Sequence, residues 1–366
     1  MKILLLGEFS NVHWTLSCAL RKLGHEVSVI SNGDEWKGYP SDISLVRKSG
    51  RMGSIVYLYK VLRLLPKLKG YDVVQLINPV HFIDLKAERG IRIYDYLRRH
   101  NKRIFLGAFG YDHYYVYDSI VNRTLRYCDY YTPTREVHHD WNTANEHDWL
   151  HTFNKDANIH IANTCDGIIS GLYEYDVAYR PHFAGKTTFI PFPIETKDID
   201  EGQLMTHEGR KLRFFIGIQR HRTALKGTDI MLRALEKVVT NYPDRAEMVK
   251  AESVPFAQYK EMMKSSDILL DQIYSYTPAM NALQAMSQGL IVVGGGEEEN
   301  YTILKEDELR PIINVQPDEE DIYRQLEQLI LHPERIAKLK RDSVEYIRRH
   351  HDSIKVAKQY IDVWSR

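Results

Sequence analysis

The chain alternates short, unbroken apolar runs with longer segments in which apolar residues recur every three or four positions. ILLL (3–6), EVSVIS (26–31), DVVQLIN (72–78) and RIFLGAF (103–109) are compact and rich in branched side chains. Runs without polar alternation predict parallel strands covered on both faces. Between the first two, HWTLSCALRKLGH (13–25) sets Trp14, Leu16, Ala19, Leu20 and Leu23 at helical spacing and closes at Gly24, a residue favoured just past a helix end. Strand, helix and strand in that order form a βαβ unit. The pattern restarts in GIIS (167–170), TFIPF (188–192), RFFIGI (213–218), DILLDQI (267–273) and LIVVGG (290–295), separated by the periodic TDIMLRALEKVVTNY and QYKEMMKSS. The stretch 195–211, ETKDIDEGQLMTHEGRK, is polar and aperiodic, which marks a joint. The expected architecture is α/β, with two Rossmann-like domains whose parallel sheets face an interdomain cleft. They span 1–195 and 205–345, and 346–366 form a C-terminal helix crossing back to the first.

Length agrees, because 366 residues exceed what one core usually organises. No repeat of fixed period is present. Composition is that of a soluble globular protein, 43% hydrophobic and 27% charged, with no apolar run near the ~20 residues a spanning helix needs. The opening MKILLLGEF is too short and too soon polar for a secretory signal, so a cytoplasmic location is expected. Cys18, Cys128 and Cys165 are scattered and odd in number, which argues against a disulfide framework and a four-cysteine zinc site. Lys plus Arg equals Asp plus Glu at 49 each, so no global field draws the chain to nucleic acid.

One stretch departs from that balance. Between Asp42 and Asp72 lie seven Lys or Arg and no acid. On a helix, Lys60, Arg63 and Lys67 share one face and Ile55, Leu58, Leu62 and Leu65 another. Such a helix either packs on the sheet with its basic face in water, or holds the protein, through residues 52–68, against an anionic membrane on its inner face.

Two nucleotide chemistries are excluded by the loops. The first turn, GEFSNVH, has one glycine where the GxGxxG fingerprint needs three, and no GxxxxGK[ST] phosphate loop occurs. What the chain does contain is RKLGHEVSVIS, YDVVQLINP, AFGYD, CDGIIS and FIPFPIE in its first half. Its second half carries IGIQRHRTALKGTDIMLRAL, YKEMMKSSDILLDQ, ALQAMSQGLIVVGG and INVQPDEEDIYRQLEQLILHPERIAKLKRDSVEYI. In this order and spacing, over nearly the whole chain, they resemble the retaining GT-B glycosyltransferases of family 4. The resemblance implies a hexosyltransferase of glycan or surface-polysaccharide assembly. It would use a UDP- or GDP-hexose as substrate, no cofactor, no metal, and a glycan or lipid-linked acceptor.

The resemblance also implies a site. A nucleoside diphosphate leaving group carries about two negative charges, and a metal-free site must meet them with cations and backbone donors. In QRHRTALKG, Lys226 with Arg220 or Arg222 would be the diphosphate clamp. In YTPAMNALQ, Thr277 is a good N-cap and Pro278 suits the first helical position, so a helix of 278–288 would present its N-terminus, with Ala279, to a phosphate. The family places one Glu shortly before this helix and another eight positions on; here those positions hold Tyr276 and Gln284. Gln284 can still bond a ribose, but a phenol supplies no charge at neutral pH. Either the site is a sugar-binding relic, or a carboxylate of the next loop, GGGEEEN, has taken over through Glu297 or Glu298; an acidic first helical turn explains the same residues equally well.

On the acceptor side the loop Glu8, Phe9, Ser10, Asn11 to His13 would line the cleft, and Asp112 falls where the family often carries a catalytic His or acid. Residues 111–160 are crowded with Tyr, His and Trp. His147 and His151, with His139 or Asp140, could bind zinc, but HDWLH lacks the Glu of HExxH, and an aromatic acceptor platform or cleft wall is the better reading. The readings carried forward are the glycosyltransferase, a non-catalytic nucleotide-sugar or glycan-binding protein, and a nucleotide-sugar epimerase.

Overall fold

The computed structural model describes residues 1–34, 37–137, 139–196, 210–219, 222–252, 254 and 256–366. Arg220, one of the two clamp arginines, lies outside the described residues. The chain folds as two compact units, one of Met1–Thr124, Thr143–Pro193 and Ser353–Arg366, the other of Leu125–Asn142 and Ile194–Asp352. The changeovers thus fall at Pro193 and Asp352, and a segment of the first half, Leu125–Asn142, belongs to the second unit. No periodicity announces that transfer.

The first unit is built on seven parallel strands in the order β3-β2-β1-β4-β5-β6-β7. They are β1 (Lys2–Leu6), β2 (Glu26–Ser31), β3 (Ile43–Ser44), β4 (Val73–Leu76), β5 (Arg103–Ala108), β6 (Gly167–Ser170) and β7 (Thr187–Phe189). β1 lies between β2, with Leu4 opposite Ser28, and β4, with Leu4 opposite Val74. Ile3, Leu4 and Leu5 are fully buried, which is why the sequence shows an apolar run there rather than an alternation. The C-terminal helix Ser353–Ser365 belongs to this unit. Its Trp364 donates its indole N–H to Gln75 Oε1 at 3.4 Å, and its carbonyl accepts from the Arg103 side chain at 3.0 Å.

The helix Gly50–Leu64 is rotated from the sequence expectation. Tyr57, Val61 and Leu64 face inward, whereas Ile55 and Leu62, read as packing residues, are 62% and 53% exposed. Two anchors set the rotation. The Tyr57 hydroxyl accepts the Asp84 N–H at 3.0 Å. Gly53 is pressed on the Lys48 backbone so closely that a Cβ there would meet the carbonyl oxygen at 2.1 Å.

The second unit has five parallel strands in the order β12-β11-β10-β8-β9. These are β8 (Leu212–Ile218), β9 (Ala246–Glu252), β10 (Ile268–Leu270), β11 (Ile291–Gly294) and β12 (Ile313–Asn314). Phe214, Ile216, Ile268, Ile291 and Val293 of this sheet pack with Met231, Ala234, Leu235, Leu326 and Leu329 of the covering helices. β9 escapes pattern reading because AEMVKAE is a half-exposed edge strand; β3 and β12 are two residues each, too short to leave a pattern. At the amino end of β10, fully buried Asp267 accepts from Lys340 at 2.6 Å and from Arg210 at 2.6 and 2.7 Å.

Candidate functional site

Open parallel sheets bind ligands beyond the carboxyl ends of their strands, where the strand order reverses. In the second unit that point lies between β8 and β10. The two loops leaving it are bonded together: the Ile273 N–H donates to the Lys226 carbonyl at 3.1 Å. Gly227, at φ 65°, fits against Ile273, whose Cγ1 a Cβ at that position would meet at 2.3 Å. Lys226 is half-buried at the end of the short helix Thr223–Lys226, and Gly227 then opens the long helix Thr228–Asn241. The first turn of that long helix has no side-chain cap, so its N-terminal dipole and Lys226 fall in one place. Arg222 precedes the short helix, its guanidinium 4.7 Å from the Trp141 ring centroid.

The loop after β10 departs from expectation. Its helix is Met280–Met286, with extended Ala279 as N-cap and no side-chain cap, so Thr277 and Pro278 stand before it as buried loop residues. At seven residues this helix offers little dipole, and the sequence assigned its N-terminus more than its length supports. Gln284 is exposed, and its amide donates to Ser287 Oγ of the same helix at 3.0 Å.

Tyr276 and Glu297 meet in one buried cluster with residues that sequence reading passed over. The Tyr276 hydroxyl, on a residue 1% exposed, accepts the Arg126 N–H at 2.6 Å and the Tyr127 N–H at 3.4 Å. The Tyr127 ring lies 4.9 Å from the Tyr276 ring, and the Arg126 guanidinium 5.0 Å from it. Burial pushes the Tyr276 phenol up to about 12. Glu297, 7% exposed, accepts from the Tyr127 hydroxyl at 2.6 Å, the Gln316 amide at 2.7 Å and the Arg126 guanidinium at 2.7 Å. Burial raises its pKa, but the bonds from Tyr127, Asn314 and Gln316 and the Arg126 charge win, and the carboxyl is held below the usual range. Gly295 makes the corner: a Cβ there would meet Ser275 O at 2.1 Å. Glu298 is exposed and pairs with Arg310; Glu299 pairs with Arg126. Leu125–Asn142 is therefore a strap clamped onto the GGGEEEN loop. Its one sequence signal is the aromatic run RYCDYY; a partner about 150 residues away has no local trace.

In the first unit the strand order reverses between β1 and β4. Gly7, at φ 81°, turns the chain there, with Ile77 Cγ2 2.3 Å from where a Cβ would lie. Ser10 and Asn11 follow with φ of 52° and 71°, successive left-handed residues that cost strain. Glu8 is buried and caps the next helix, Val12–Lys22, its carboxylate accepting from the His13 N–H at 3.2 Å and the Trp14 N–H at 2.8 Å. Burial outweighs those bonds and raises Glu8 to about 8. His13 is fully buried; Nδ1–H donates to the Gly7 carbonyl at 2.8 Å, which leaves Nε2 as an acceptor with no partner among the described residues. Burial lowers its pKa to about 4, so the ring is neutral. Phe9 is half-buried, its ring 6.5 Å from that of His81.

Asp112 is fully buried and caps the helix His113–Tyr117 through the Tyr115 N–H at 3.0 Å. Its other oxygen accepts from the Tyr179 hydroxyl at 2.7 Å, and burial raises it to about 7. The structure thus sets Glu8, Phe9, Ser10 and Asn11 on one loop, His13 in the first turn of the helix that follows, and Asp112 in a buried Tyr179–Asn158 network. His147 and His151 have ring centroids 6.4 Å apart, and no three His, Cys, Asp or Glu side chains converge among the described residues.

No family model matches the sequence, and no curated protein matches it. Solved structures do. Sucrose-phosphate synthase of Thermosynechococcus elongatus is similar over 100% of this chain and 98% of its own, at 13% identity and a TM-score of 0.60. Anabaena HepE in complex with UDP-glucose is similar over 100% and 99%, at 13% identity and 0.60. The fold is that of GT-B glycosyltransferases. A Listeria monocytogenes protein assigned as a UDP-N-acetylglucosamine 2-epimerase is similar too, over 99% and 95%, at 12% identity and 0.54. At such identities the likeness establishes the two-domain GT-B architecture.

Proposed function

We propose that the chain is a glycosyltransferase that moves a hexose from a nucleotide-sugar donor to a glycan or lipid-linked acceptor, with retention and without a metal. The observation that carries this reading is the switch point of the second unit. There half-buried Lys226, Arg222 and the uncapped N-terminus of Thr228–Asn241 supply the positive charge a leaving diphosphate needs. HepE, of the same fold, is bound to UDP-glucose. In the transfer the bond between the anomeric carbon and the diphosphate oxygen breaks, the bond to the acceptor oxygen forms, and the acceptor's hydroxyl proton leaves with the diphosphate or to solvent.

A second reading, a protein that binds a nucleotide sugar without transferring it, is favoured by the corner around Tyr276. Its buried carboxylate Glu297 already holds Tyr127, Gln316 and Arg126. The epimerase shares the fold and the donor class. One experiment separates the three. UDP-, GDP- and ADP-hexoses are screened by thermal shift, since a donor raises the melting temperature in proportion to RT ln(1 + [L]/Kd), and each hit is then followed for products. Released nucleoside diphosphate with a glycosylated acceptor supports transfer, an altered sugar still on its nucleotide means epimerisation, and stabilisation without product means binding. Lys226→Ala should weaken nucleoside diphosphate binding at least about tenfold with little loss of stability. Unchanged affinity would remove Lys226 from the clamp, and activity abolished by EDTA and restored by a divalent ion would overturn metal independence.

A further inference from the structure

The helix Gly50–Leu64 carries an outward apolar stripe that the fold leaves in solvent: Met52 is 72% exposed, Ile55 62%, Val56 47%, Tyr59 60% and Leu62 53%. At 3.6 residues per turn these five fall within an arc of about 120°, on the side away from buried Tyr57, Val61 and Leu64. Scattered single apolar residues on a surface need no explanation, but five on one face of one helix do. Lys60 is exposed at one edge of the stripe and Arg51 at the other, Arg63 falls within its arc at the C-terminal end, and exposed Lys67 follows in the next turn. The stretch between Asp42 and Asp72 holds seven basic residues and no acid. Tyr57 and Gly53 fix the helix in this rotation, so the stripe is a built feature and not a loosely placed end.

We propose that this face inserts into an anionic bilayer surface, with Met52, Ile55, Val56, Tyr59 and Leu62 in the acyl boundary and Lys60, Arg63 and Lys67 on the headgroups. The occupant is chosen by charge complementarity. A protein partner of neutral surface would leave the basic flank unanswered, and a free polyanion would leave the apolar stripe in water. An anionic lipid surface meets both at once. The inference deepens the reading of a lipid-linked acceptor by placing the lipid side on this helix. It needs no transfer to be read, so its failure and that of the glycosyltransferase reading are distinguishable.

The test is sedimentation of the full chain with vesicles of phosphatidylcholine alone or mixed with phosphatidylglycerol, without donor. Binding to the mixed vesicles only is expected, weakened but not abolished at physiological salt, because screening acts on the lysines and not on the inserted stripe. Ile55→Ser/Tyr59→Ser/Leu62→Ser should reduce partitioning at least about tenfold with an unchanged melting curve, since these residues are exposed. Lys60→Glu/Arg63→Glu/Lys67→Glu should abolish the preference for anionic lipid. Tyr59→Trp, which changes one exposed residue, should shift its emission to the blue with mixed vesicles only. No binding at low salt, equal binding by the serine variant, no blue shift, or a dimer in sedimentation velocity that the serine variant dissolves would each overturn the proposal, the last by showing that a second copy covers the face.

Discussion

Glu297→Gln tests what the GGGEEEN loop is for. Of the bonds to Glu297, those from Tyr127 and Gln316 end on Oε1 and that from Arg126 on Oε2. A glutamine that keeps its carbonyl at Oε1 retains Tyr127 and Gln316 but turns an NH2 toward the Arg126 guanidinium. A hydrogen bond to a charged group contributes ~1.5–3 kcal/mol. The Arg126 side chain is half exposed and can rehydrate, so the low end, ~1.5, applies. The two retained bonds fall from charge-assisted to neutral, losing ~0.5–1 kcal/mol each. The total is ~3 kcal/mol, which for a unit of this size lowers the melting temperature by ~6–12 °C.

Calorimetry of the variant at neutral pH, beside Glu298→Gln as the exposed control that should melt like the parent, measures it. The sign with pH follows from the direction of the shift. The Glu297 carboxyl is held below its ordinary range, so its stabilisation is present above that range and lost as pH falls through the folded value. The deficit of the variant should therefore shrink in acid. A variant that melts with the parent at neutral pH would refute the tether. If such a variant also lost turnover while keeping its affinity for the bare nucleoside diphosphate, Glu297 would be a sugar contact instead.

Glu8 is raised from 4.5 to about 8, so the stability gained by protonating it in the fold is complete below pH 4.5 and lost as pH rises through about 8. That displacement corresponds to ~5 kcal/mol, and urea midpoints from pH 5 to 8 should fall for the parent and stay flat for Glu8→Gln; parallel slopes would refute it. His13, lowered to about 4, acts in the opposite sense: its contribution is present above its ordinary value and lost as pH falls through about 4, so His13→Asn should remove part of the acid limb. Lys340→Met strips buried Asp267 of one of two cations and should cost ~3 kcal/mol by chemical denaturation; no loss would mean that Arg210 alone suffices.

The strands that organise each unit are legible because they are buried on both faces, and Lys226 with Gly227 because a cation, a left-handed glycine and a helix start follow one another in the chain. The rotation of Gly50–Leu64 is not, since Ile55, Leu58, Leu62 and Leu65 form as good an apolar stripe as Tyr57, Val61 and Leu64. Only the contacts of Tyr57 with Asp84 and of Gly53 with Lys48 decide between them. Glu8 and Asp112 were legible as acids near strand ends but not as buried helix caps, because burial is set by neighbours distant in sequence.

Two oddities of the sequence have one physical cause. A tyrosine stands at 276, where the sequence resemblance implies a carboxylate, and a segment of the first half belongs to the second unit. The strap approaches with two backbone N–H groups, the Tyr127 ring and the Arg126 guanidinium. A phenol at 276 accepts the N–H groups, stacks on the ring and faces the guanidinium with its own ring. A carboxylate at 276 would accept the same N–H groups, yet it would offer no face to Tyr127 or Arg126. It would also be a second buried anion competing for the cation that Glu297 and Glu299 already share. Tyr276 therefore suits a corner whose negative charge is carried by Glu297, and the strap is what fixes that charge there.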